Sequence, residues 1–185
     1  MKDDQKQIIN NAPFFYVTKI DAARRQLDVA IRLYFYDEDV VATYTLVWAV
    51  YNLLSDLIKK QGLKSDLDRD LNWIIPKERK EIRDLFRSAG NYFKHADDKN
   101  YDKPLKFFYK PVEMYLFDSC RMYYTLTNNN PPTIGIYKSW FHLTHKGLLM
   151  PDLEEKLEKS RQHIDITNKL KFFNDILPTA MKITK

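Results

Sequence analysis

The chain of 185 residues carries 30 Lys and Arg against 25 Asp and Glu, four His, one Cys and only four Gly, where average usage of ~7% gives roughly 13 glycines. Gly62, Gly90, Gly135 and Gly147 stand singly, which disfavours glycine-rich phosphate loops, dinucleotide-binding turns and the turn-rich sandwiches and barrels. A 44% hydrophobic and 14% aromatic content suffices for one ordinary core, and the lone Cys120 excludes an intramolecular disulfide and a Cys-rich zinc site.

Residues 1–17 read as a polar N-terminal tail whose aromatic end, Phe14-Phe15-Tyr16, is expected to be pinned to the core. Thr18 then opens a helix: Asp21 stands three residues on as a capping-box partner, and Ile20, Ala23, Leu27, Ile31 and Tyr34 define one apolar face. The acids Asp37-Glu38-Asp39 precede a second helix, where the macrodipole favours them. Its stripe is Val40, Tyr44, Val47, Tyr51, Leu54 and Ile58, widened by Val41, Trp48 and Leu57, and Lys59, Lys60 and Gly62 close it. Residues 63–75 suggest a short helix and turn. Their acids Asp66, Asp68 and Asp70 lack the Gly and Glu of a calcium loop, since the corresponding positions hold Leu71 and Lys77.

Pro76 suits the first turn of a further helix with Ile82, Leu85, Phe86, Ala89, Phe93 and Ala96 inward, ending at Asp97-Asp98-Lys99-Asn100. An irregular linker over 101–110 leads to a helix starting at Pro111, with Val112, Tyr115, Leu116, Cys120, Met122, Tyr123 and Leu126 inward. Asn128-Asn129-Asn130-Pro131-Pro132 stops it, and the remainder predicts a helix over about 133–146 and one or two over about 152–182. The expected fold is all-α: an up-and-down helical bundle over 18–127 with C-terminal helices of 128–185 packed on it, one domain spanning 18–185. Met1-Lys2-Asp3-Asp4 lacks the basic and apolar regions of a signal peptide. The longest uncharged run, Val40 to Ser55, is shorter than the ~20 apolar residues of a membrane span. A cytoplasmic protein without a membrane segment is expected.

The charge is concentrated. Residues 59–110 hold 14 Lys and Arg against nine Asp and Glu, and the rest of the chain is balanced, the distribution expected of a phosphate-facing surface or of a solvated basic face. Within this segment Arg83, Arg87, Asn91 and His95 recur every four residues, forming a polar stripe opposite the apolar face. The stripe is either solvent-facing or part of a site between two protomers. A guanidinium, an amide and an imidazole together can hold a phosphodiester and move a proton without a metal. Cationic Lys94 and His95 also suit the dipole of a last helical turn on structural grounds alone. His142 and His145 with Asp152, or His95 with Asp97 and Asp98, are candidate metal ligands without a recognised motif; the former pair reads better as surface residues. Cys120 reads as a small buried hydrophobe.

The stretches Ala22-Ala23-Arg24-Arg25-Gln26-Leu27-Asp28 and Asn91-Tyr92-Phe93-Lys94-His95-Ala96-Asp97, with Ser139-Trp140-Phe141 downstream, resemble an uncharacterised family of bacterial helical proteins that is itself HEPN-like, after the higher-eukaryote and prokaryote nucleotide-binding superfamily. The resemblance implies a homodimeric helical bundle that binds RNA or a nucleotide. It also implies a metal-independent ribonuclease of a toxin–antitoxin or defence system, in which Arg and a His four to six residues beyond it meet RNA in the dimer. Carried onto this chain, it assigns catalysis to His95, Asn91 and Arg87 and substrate binding to Arg83 and Lys94, with no cofactor and no metal. The motif Arg is missing: Ser88, Ala89, Gly90 and Asn91 occupy the positions that should hold it. That departure favours the alternative of a non-catalytic module that binds a protein partner.

Overall fold

Thr18 begins the first helix as its position predicts. In a computed structural model that describes residues 13–65, 84, 87–95, 102–147 and 151–183, its hydroxyl accepts from the Asp21 amide at 3.1 Å while the Asp21 carboxylate accepts from the Thr18 amide at 3.3 Å. This reciprocal cap fixes α1, Lys19–Phe35. Tyr36 to Asp39 turn the chain back, with Asp37 in the left-handed region at φ 53°, and the Asp39 carboxylate caps α2, Val40–Lys60, by accepting from the Ala42 amide at 2.8 Å. Gly62, at φ +74°, ends it in the conformation that only glycine adopts without strain.

Pro111 opens α3, Pro111–Thr127, and left-handed Asn128 closes it. The helices α4, Pro132–Thr144, α5, Pro151–Arg161, and α6, Lys169–Ile183, complete the described chain. Between α2 and α3, residues 87–92 are helical and 102–109 are irregular. Among the described residues there is no strand. The protein is an all-α helical bundle.

α2 packs along both α1 and α3, and α3 also meets α1 and α4. Surrounded in this way, α3 buries most of its girth: Phe117, Asp118 and Ser119 are interior alongside the expected Val112, Tyr115, Leu116, Cys120, Met122 and Tyr123. Cys120 is fully enclosed, and burial pushes its thiol well above the ordinary range. One core cluster runs through α1, α2, α3, α4 and the Phe172–Phe173 pair of α6. Val40 and Val41, expected inside, are exposed at the start of α2. α2 is long and apolar enough to cross a membrane, yet it lines the centre of this bundle.

Aromatic rings carry much of that core. Along α2, Trp48 stacks on Tyr44 at 6.4 Å and on Tyr51 at 6.0 Å, with Tyr115 edge-on at 5.4 Å. Around Phe35, the rings of Tyr137, Trp140, Phe172 and Phe173 lie within 4.7–6.4 Å, the range in which ring pairs gain beyond their buried area. The aromatic tail behaves differently from expectation. Phe14, Phe15 and Tyr16 are exposed; Phe14 meets Tyr16 edge-on, and Phe15 lies under the Arg25 guanidinium at 5.3 Å.

Two sets of contacts fix α4 against its neighbours. Ala23 and Leu27 are buried on α1, and the Asp28 carboxylate accepts from the Thr133 hydroxyl at 2.8 Å, tying α1 to the start of α4. Trp140 and Phe141 are core residues of α4. Arg161 locks α5 to α4: its guanidinium donates to the carbonyls of His142 and Leu143 at 2.8 Å each and pairs with Glu154 at 2.7 Å and Glu158 at 2.9 Å. It thereby satisfies backbone acceptors that the end of α4 leaves open.

Candidate functional site

The polar stripe is built on the helical backbone at 87–92. Its inner side is Ala89 and Gly90, both buried, and Gly90 lies directly against the Trp48 indole. A Cβ at Gly90 would stand 2.7 Å from Cε2 of Trp48 and closer still to its Nε1 and Cδ1. Glycine here permits a close approach of helix and indole. Phe93 leaves the helix to meet Tyr44 at 6.0 Å and Phe107 at 5.2 Å, both edge-on. The Tyr92 hydroxyl donates to the Lys103 carbonyl at 2.8 Å. These anchors end the helix at residue 92, five residues before the expected turn.

Arg87 and Asn91 are therefore one helical turn apart and exposed, while His95 sits just past the helix end, its amide donating to the Asn91 carbonyl at 3.1 Å. Lys94 is exposed beside it. Among the described residues no side-chain hydrogen bond or ion pair joins Arg87, Asn91, Lys94 and His95 to one another. The structure thus leaves all four exposed along one short segment, without a side-chain contact that orients His95 as a general base needs. Arg83, Asp97 and Asp98 lie outside the described residues, as do the acids at 66, 68 and 70 and the Pro76 helix start.

Sequence reasoning missed the neighbour of this stripe. The segment 105–110 turns Leu105 and Phe107 inward and Lys106, Phe108, Tyr109 and Lys110 outward. Phe108 is 50% and Tyr109 69% exposed, and the Lys106 ammonium lies 5.2 Å over the Phe108 ring. Phe107 is fixed edge-on to Tyr44 at 5.1 Å. The burial that anchors Phe107 thereby holds two rings and two cations at the surface, adjoining the stripe through Tyr92 and Phe93. The signal in the sequence was the Lys-Phe-Phe-Tyr-Lys run itself.

A second polar constellation lies across α1, α3 and α4. The Tyr34 hydroxyl donates to Glu113 Oε1 at 2.9 Å and accepts from Trp140 Nε1 at 3.3 Å. The other Glu113 oxygen faces His145 Nε2 at 3.3 Å, and the Glu113 carbonyl accepts from the Tyr137 hydroxyl at 2.9 Å. His145 stacks on Phe141 at 4.0 Å, with Nδ1 3.0 Å from the Phe141 carbonyl and 3.1 Å from the Thr144 hydroxyl. Burial, followed by the Glu113 charge, drives the Tyr34 phenol well above its ordinary range, so it remains a donor. Burial likewise pushes Tyr44 up to about 12.

These groups open onto a cleft of about 400 Å³ that Tyr34 and Glu113 line together with Asp37, Glu38, Tyr109 and Lys169. The Lys169 ammonium pairs with Asp37 and lies 4.4 Å over the Tyr34 ring. No local pattern announces this cleft, because its parts are distant in sequence and Tyr34 also fits an apolar stripe.

The two helix-paired histidines are half-buried, contrary to the surface pair expected from the sequence. His142 meets Phe117 edge-on at 5.1 Å, and burial, with the nearby Arg121 and Lys138 charges, lowers its pKa. His145 instead faces Glu113. Among the described residues no group of three or more His, Cys, Asp or Glu side chains is placed to hold a metal. Comparison with protein-family models, curated proteins and solved structures finds no match to this chain.

Proposed function

We propose that the chain is a HEPN-like, dimeric RNA-binding protein of the bacterial cytoplasm, of the defence or toxin–antitoxin type, which holds single-stranded RNA without cleaving it. The supporting observation is that Arg87, Asn91, Lys94 and His95 are exposed on the segment whose Tyr92 and Phe93 contact Lys103 and Phe107, in the same stretch as exposed Phe108 and Tyr109 flanked by Lys106 and Lys110. Cations track the phosphates and exposed rings stack unpaired bases, which is how single strands are held without sequence-specific edges. Arg87 and Lys94 contribute phosphate contacts and Asn91 a hydrogen bond to phosphate or base. Binding is favoured over cleavage because the motif Arg is absent from positions 88–91 and no described side chain orients the His95 ring.

The test is fluorescence anisotropy of labelled single-stranded RNA and tRNA in EDTA, together with gel analysis of the RNA afterwards. The expected result is saturable binding that weakens with salt, intact RNA, and a salt slope that falls by about one when Lys106 is replaced by Ala. Absence of binding at low salt overturns the reading. Cleavage that disappears in His95→Ala overturns the non-catalytic form and restores the ribonuclease. A second reading, a module for a protein partner, draws on the outward Phe14, Phe15 and Tyr16; it predicts that deleting those rings abolishes a protein contact while RNA affinity is absent.

A further inference from the structure

The cleft between the α1–α2 turn, the start of α3 and the first residue of α6 lies outside the stripe, sharing only Tyr109 with the RNA surface. We propose that it binds an organic cation: a primary or secondary ammonium on a short apolar chain, the chemistry of a diamine or polyamine.

The walls carry a local charge opposite to that of the chain. Asp37, Glu38 and Glu113 face the cleft, with Lys169 as the one lining cation among the described residues, whereas the whole chain has a formal charge of +5. Such a contrast concentrates cations at the opening. Glu113 is an oriented acceptor. Tyr34 and His145 each engage one of its oxygens, and each carboxylate oxygen can accept more than one hydrogen bond. Leu33, Val40 and Val112 supply apolar wall for methylene groups, and Tyr109 adds an exposed ring at the rim. The volume of about 400 Å³ holds roughly a dozen water-sized groups at ≈ 30 Å³ each, the scale of a polyamine.

Lys169 displays the recognition mode from within the protein. Its ammonium is held by the Asp37 carboxylate and by the face of the Tyr34 ring at 4.4 Å, the two contacts by which proteins capture ammonium ligands. Lys169 is a tethered occupant of part of the cleft, and an incoming amine competes with it for Asp37 and Tyr34.

That competition gives two variants with opposite signs. Isothermal titration of the full chain with spermidine and with putrescine at low ionic strength, with butanediol as the uncharged control, reads the site directly. The expected result is one saturable amine site and no diol binding. Glu113→Gln weakens the amine about tenfold, the loss of one charge-assisted contact. Lys169→Met tightens it several-fold by removing the tethered competitor. Tyr109→Ala, at an exposed position that leaves the core intact, weakens it and guards against a folding defect in the Glu113 variant. Equal affinity in the wild type and Glu113→Gln, weaker binding in Lys169→Met, or diol binding equal to that of the amines overturns the assignment. RNA affinity is read separately through Lys106 and Phe108, so failure of one proposal leaves the other standing.

Discussion

Replacing Gly90 with Ala sets two effects of opposite sign against each other. Within the helical backbone at 87–92, Ala is favoured over Gly by about 0.5–1 kcal/mol. Against this, the new methyl would stand 2.7 Å from Trp48 Cε2 and nearer to two other indole atoms. Trp48 cannot move aside freely: it is buried, stacked on Tyr44 and Tyr51, and blocked edge-on by Tyr115. Overpacking of this kind costs about 1–3 kcal/mol, and contact with three ring atoms places it in the upper part of that range. The net expectation is a loss of about 1–2 kcal/mol, read in urea melts as a lower midpoint at unchanged slope. Trp48→Ala removes the ring atoms that the new methyl would meet, so Gly90→Ala costs much less in that background. Equal or greater stability of Gly90→Ala in the wild type refutes the close approach. Additivity of the two changes within about 0.3–0.5 kcal/mol does the same.

Three further outcomes follow from named contacts. His142 titrates below its ordinary value in the fold, chiefly through burial, so the unfolded chain binds more protons below pH 6.5 and stability falls as pH drops through that value; His142→Gln removes this component in melts across the range. Tyr34→Phe deprives Glu113 of a donor and Trp140 of an acceptor, costing about 1.5–3 kcal/mol in a chemical denaturation series, whereas Tyr36→Phe, which loses one exposed hydrogen bond to Asn174, costs much less. Arg161→Lys cannot span both α4 carbonyls and both carboxylates; a loss of about 1.5–3 kcal/mol and faster amide exchange at the end of α4 are expected.

The helices were legible wherever the sequence carried its own punctuation. Thr18 with Asp21, Gly62 and Pro111 each marked a boundary that the backbone obeys, because a cap or a missing amide is a local property. A glycine inside a helix, in a chain this poor in glycine, implies either a close approach or a local bend, and Gly90 lies against the Trp48 indole. Periodicity failed where surroundings decide. It could not show that α3 is enclosed on several sides, so Asp118 and Ser119 went unnoticed as interior residues, nor that Val40 and Val41 face solvent. The tail rings Phe14, Phe15 and Tyr16 were read as anchors, yet they are exposed. The Tyr34–Glu113–His145 network joins α1 to α3 and α4 across 79 positions between its first two members, and no local spacing encodes it. Of the expected stripe, Arg87 and Asn91 lie on one exposed helical turn while His95 falls past the helix end, and the aromatic neighbours emerge only once Phe107 is seen anchored on Tyr44.

Photo-crosslinking of single-stranded RNA to the full chain, with the adducts located by peptide mass spectrometry, tests the central claim most directly. RNA stacked on the exposed rings predicts adducts at Phe108 and Tyr109, their loss in Phe108→Ala with Tyr109→Ala, and protection of Lys94 and Lys106 from amine-reactive labelling. Adducts confined to other surfaces, or none under conditions in which a known RNA-binding control reacts, contradict it.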